Sequence, residues 1–122
     1  MVNEIKTNKV YDLEERTFIF AKDVRIFVKT LPKTIANIED GKQVIRSTGS
    51  VGTNYREANE AFSKKDFVMR VKISRKEAKE SVYWLKIINE TNNLENSKDA
   101  LILIQEATEL KKILSSILEK SK

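Results

Sequence analysis

The sequence predicts an all-α protein, an antiparallel up-and-down four-helix bundle. Three observations carry that prediction. The 122-residue chain contains one proline and three glycines, so little interrupts helices. Apolar residues recur in alternating steps of four and three along separate segments, the period of a helical seam. Short stretches separate those segments, which makes neighbouring helices antiparallel.

The first helix is expected over Leu13–Leu31. Asp12 can cap it, with Glu15 three residues on in a capping-box arrangement. Leu13, Phe20, Val24, Phe27 and Leu31 make its seam, Ile19, Ala21, Ile26 and Val28 widen the arc, and Pro32 stops it. Residues 1–11 read as a flexible arm, and 12–120 as a single bundle domain.

The second helix carries Val44, Thr48, Val51, Tyr55, Ala58 and Phe62 at seam spacing. Gly49 and Gly52 lie inside it, each costing about 1 kcal/mol relative to alanine. They fit either a close helix–helix approach or a loop through STGSVGTN that splits the helix. Any irregularity is expected near Gly49.

The third helix is expected over Lys64–Thr91, capped by Ser63 with Asp66 in its first turn. Phe67, Val71, Ser74, Ala78, Ser81, Leu85 and Ile88 form its seam. The turn NNLENS leads to a fourth helix over Lys98–Lys120, with Leu103, Ala107, Leu110, Leu114 and Ile117 at seam spacing.

Composition narrows the function. There is no cysteine and no histidine, which removes disulfides, thiolate chemistry, the commonest metal ligand and the commonest neutral-pH base. No apolar run is long enough for a membrane span and no secretory signal is evident, so a cytoplasmic protein without membrane contact is expected. Basic residues outnumber acidic ones 23 to 18. The excess concentrates in residues 63–93, with eight basic and four acidic side chains.

Four features bear on function. Lys65, Lys72, Lys79 and Lys86 recur every seven residues opposite the apolar arc, with Lys76 and Arg75 alongside. Such a row suits phosphate contacts to RNA or DNA; it is also what an ordinary solvated face looks like. Glu77 and Glu80 fall inside the apolar arc, where carboxylates need partners. Asn54 and Arg56 on the second helix, beside Glu57, are the candidates. An inter-helix polar network or subunit contact accounts for these acids better than a metal or acid–base site, because bundle di-iron sites use Glu-x-x-His. GSVGTN lacks the ending and the strand context of a phosphate loop. Finally, Ile19, Ile26, Ile102 and Ile113 exceed what one bundle face buries, which points to self-association. No cofactor and no catalytic or metal residue is expected; a protein-interaction module with no nucleic-acid role is the alternative.

Two runs, SVGTNYREANEAFSKKDF from Ser50 to Phe67 and KISRKEAKESVYWL from Lys72 to Leu85, resemble the four-helix bundle proteins encoded by intervening sequences in bacterial 23S ribosomal RNA genes. The likeness spans roughly residues 10–118. It implies a homo-oligomer, typically a pentamer. A related branch comprises accessory proteins of diversity-generating retroelements, which bind nucleic acid through a basic surface. The family's motif residues map onto Ser50, Asn54, Tyr55, Arg56, Glu57, Glu77, Glu80 and Trp84. The resemblance does not assign them a role; on the physical grounds above, all eight are expected in the inter-helix polar network or at a subunit contact.

Overall fold

A computed structural model describes residues 12–93 and 97–122. The arm over 1–11 and part of the NNLENS turn lie outside the described residues. Four helices follow in order: α1 (Leu13–Lys29), α2 (Ile35–Asn59), α3 (Lys64–Thr91) and α4 (Ser97–Lys120).

Local chemistry sets the helix starts. Asp12 Oδ1 accepts from the Glu15 amide at 2.9 Å, Thr34 Oγ1 from Asn37, and Ser63 Oγ from Asp66. Each cap satisfies one of the first-turn N–H groups a helix leaves unpaired. α1 ends at Lys29, two residues before the expected end. The Thr30 and Leu31 amides bond Phe27 and Val28 carbonyls in tightened i+3 fashion, and Pro32 disfavours helical geometry at Leu31. Leu31 remains buried beyond the helix end.

α2 runs unbroken through Gly49 and Gly52, and no described glycine has a positive φ. The loop alternative therefore does not hold, and Gly49, the expected place of any irregularity, is regular helix. Space, not backbone freedom, explains Gly52. A Cβ there would sit 3.1 Å from Thr17 Oγ1 and 3.3 Å from Thr17 Cβ on α1. α2 stops at Asn59, and Phe62, expected in its seam, lies past the helix end and fully exposed.

Cross-helix pairs fix the direction of each neighbour. Glu14 at the start of α1 meets Asn59 at the end of α2, whereas Val28 faces Gly41. Along α2 and α3, Asn37 bonds Asn92, Ser47 bonds Ser81, Val51 accepts from Ser74, and Asn54 accepts from Arg70. Both pairs are thus antiparallel. The core has two parts that show the same for α3 and α4. One joins Phe20, Val24 and Phe27 with Leu85, Ile88, Ala100 and Leu103; the other joins Val51, Val71, Ala78, Leu114 and Leu118. The early half of α3 thus packs on the late half of α4.

The α2–α3 seam is built from small side chains. Ser47, Thr48, Ser74 and Ser81 are fully buried, yet each hydroxyl is hydrogen-bonded, Ser74 to the Val51 carbonyl across the interface at 2.7 Å. Satisfied hydroxyls carry little burial penalty and let the two backbones approach closely. In α4 the last buried seam position is Leu118, with the expected Ile117 half-buried.

Candidate nucleic-acid interface

Two ion-pair clusters decide where charge remains on this surface. The first joins α2 to α3. Arg46 Nη2 lies 3.3 Å from Glu77 Oε1 and 3.1 Å from Glu80 Oε1, and Nη1 donates to Glu77 Oε2 at 3.4 Å. This answers the two acids in the apolar arc with a different partner from those expected. The register that puts Ser47 against Ser81 places Arg46 opposite Glu77 and Glu80, while Asn54 and Arg56 lie two turns further along α2. Asn54 instead bonds Ser50 and Arg70. Arg56 reaches Glu14 on α1 at 3.4 Å, and Glu57 is exposed. Tyr55 packs against the second part of the core and Trp84 against the first, with Tyr83 edge-on to the indole at 5.1 Å. The motif residues are therefore dispersed over several contacts rather than gathered at one site.

The second cluster, which sequence reasoning missed, joins α1 to α4. Arg16 forks onto Glu106, Nε to Oε2 and Nη2 to Oε1 both at 2.8 Å, and Nη2 also reaches Glu109 Oε1 at 3.0 Å. Glu106 is buried. Burial pushes its carboxyl above the ordinary range, against the pull of Arg16. The hydrogen bond from Gln105, and then Arg16, holds Glu109 below that range. The bidentate bond to Glu106 in turn raises Arg16. Arg16, one turn before the seam residue Phe20 and so beside the apolar stripe of α1, was the available signal.

These clusters draw the mid-helix acids Glu77 and Glu80 toward α2, and Glu106 and Glu109 toward α1. The face between α3 and α4 keeps its cations. Lys65, Lys72, Lys76, Lys79 and Lys86 are all exposed. Lys72, Arg75, Lys76 and Lys79 converge with Lys111 and Ser115 of α4 around an open cleft of about 400 Å³. No acid lines it, and among the described residues none of its five cations is within 4.0 Å of a carboxylate. Lys65 stands apart, in an apolar hollow with Lys64, Val68, Met69 and Lys72, and Lys86 stands near the other end beside Tyr83 and Ile87. Lys111 was not singled out from sequence because α4 carries balanced charge; only the antiparallel register of α3 and α4 brings it here.

The apolar positions expected to be in surplus, Ile19, Ile26, Ile102 and Ile113, are half-buried in the single chain. The large apolar side chains left most open are others, among them Phe18, Ile35, Phe62 and Leu101. No helix among the described residues is long and apolar enough to cross a membrane.

Residues 9–116 match the family model described as 23S rRNA-intervening sequence protein. Among solved structures, a protein of unknown function from the S23 ribosomal protein family of Bacteroides thetaiotaomicron is similar, with a TM-score of 0.75 and 29% identity. The match covers 86% of this chain and 96% of that one. No curated protein matches the chain.

Proposed function

The chain belongs to the 23S rRNA-intervening sequence protein family, and from that premise we propose that it is a non-enzymatic, self-associating bundle whose basic α3 face binds nucleic acid. The observation that carries this is the row Lys65, Lys72, Lys79 and Lys86, exposed along one helix and, among the described residues, in no ion pair. At 1.5 Å per residue the row is about 31 Å long, the rise of roughly nine base-pair steps of duplex. Lysines in such a row replace condensed counterions at successive phosphates without reading bases. A gel-shift assay with a structured RNA across a salt series tests the reading. Binding at low salt that weakens steeply with salt supports it; no binding at low salt, or binding unchanged after Lys72, Lys79 and Lys86 are replaced by Glu, refutes it.

Self-association draws on the exposed Phe18 and Leu101, each 56% accessible in the single chain. Exposed apolar surface of this kind marks an association face where it forms a contiguous patch. The family resemblance makes a pentamer the expected closed ring. The same surfaces favour the second reading, a protein-interaction module without nucleic acid. A partner retained from native cytoplasm after nuclease treatment, together with no RNA shift, would establish that reading instead.

A further inference from the structure

We propose that the cleft between α3 and α4 is a discrete seat for a run of linked phosphate groups, the α3 face being its open continuation. The inference rests on the nucleic-acid reading and specifies the ligand chemistry and the residues of the site. A solvated lysine face would present one row of cations on one helix. Here two helices contribute opposite walls: Lys72, Arg75, Lys76 and Lys79 from α3, Lys111 and Ser115 from α4.

Charge selects the ligand class. Five cations without a lining acid repel one another, and the acids Glu77 and Glu80 are paired with α2 and Glu106 and Glu109 with α1. A single phosphate monoester carries about −1.5 to −2 at neutral pH and neutralises less than half of that charge. Several phosphates in sequence, as along a nucleic-acid strand, neutralise it all. Arg75 adds a planar fork of donors suited to phosphate oxygens, and Ser115 supplies a hydroxyl donor. The cleft volume of about 400 Å³ falls within the ~300–1,000 Å³ of ordinary ligand pockets. Nothing in the site distinguishes bases, so the seat fixes strand position and leaves sequence unread.

Inorganic tripolyphosphate is the probe, measured by isothermal titration against orthophosphate on the full chain, with structured RNA as a second arm. Tripolyphosphate is expected to bind at least about tenfold more tightly than orthophosphate, the scale of added charge-assisted contacts. Lys111→Glu should lower tripolyphosphate affinity by about tenfold or more, and Lys111→Arg should retain most of it. Lys33→Glu, exposed in the loop between α1 and α2 and outside the cleft and the α3 face, should leave it within about twofold. Far-ultraviolet circular dichroism confirms that each variant is helical; Lys111→Gln replaces Lys111→Glu if reversal unfolds the chain. Equal affinity for the two phosphates, or unchanged tripolyphosphate binding in the Lys111 variants, overturns the seat. If Lys72, Lys79 and Lys86 reversals abolish RNA binding while the Lys111 variants leave both ligands unaffected, the α3 face stands and the two-helix seat falls.

Discussion

Replacing each of two glycines by alanine should move stability in opposite directions, although they lie three residues apart in one helix. Alanine at a helix interior is favoured over glycine by about 1 kcal/mol. At Gly52 that gain meets a wall. The new Cβ would approach Thr17 Oγ1 to 3.1 Å and Thr17 Cβ to 3.3 Å. Thr17 is fully buried and its hydroxyl bonds the Leu13 and Glu14 carbonyls at 2.9 and 3.1 Å. It cannot turn away without breaking those bonds, so α1 must shift, at an overpacking cost of about 1–3 kcal/mol. The net for Gly52→Ala is a loss of about 0–2 kcal/mol. At Gly49 the nearest atom is Arg25 Nη2 at 3.3 Å, the tip of an exposed side chain whose bond to the Ile45 carbonyl is long, 3.4 Å. That tip can swing aside, so Gly49→Ala should gain up to about 1 kcal/mol. Urea unfolding followed by circular dichroism reads both as midpoint shifts at constant slope. Equal shifts of the same sign, or Gly52→Ala the more stable, would show that α1 does not rest against Gly52.

Arg16→Ala strands the buried Glu106 and should cost about 3 kcal/mol in the same assay, with Arg16→Lys recovering only part because the fork is lost. The folded chain holds the Glu106 proton more tightly than the unfolded chain. Its contribution to stability therefore falls as pH rises from the ordinary value of 4.5 through the folded value. Glu109 contributes the opposite trend, stability lost as pH falls through its lowered value. Carboxyl carbon NMR should show Glu106 titrating above Glu109, and Glu106→Gln should abolish the first slope. Arg46→Ala should cost about 1–2 kcal/mol, discounted for its half-exposed guanidinium, whereas a cost below about 0.5 kcal/mol, that of an ordinary surface change, would make the α2–α3 cluster incidental. Light scattering should give a solution mass several times the 14.1 kDa of one chain, near fivefold, reduced by Phe18→Asp; a monomer would refute self-association.

Much of the fold was legible because one-dimensional periodicity encodes which face of a helix is buried. The seam of α3 and its Ser63 cap followed from spacing and a single hydroxyl. Whether α2 breaks at Gly49 and Gly52 was not legible, since glycine signals both a loop and a close approach. Only Thr17 on another helix decides between them. The partners of Glu77 and Glu80 were missed for a related reason. Their residue types demanded a cation, but choosing Arg46 over Arg56 requires the helix register. Lys111 shows the same limit for the candidate site: its own helix gives no sign of it, and its meaning arises from the four cations across the cleft.

The most direct test of the charge argument is the salt dependence of RNA binding. Each phosphate contact on duplex contributes about −0.9 to the slope of log affinity against log salt. Replacing Lys72, Lys79 and Lys86 together by Glu should flatten the wild-type slope by about 3 and weaken binding alike for unrelated sequences. An unchanged slope in that variant would contradict the account, because those lysines would not then be touching phosphate.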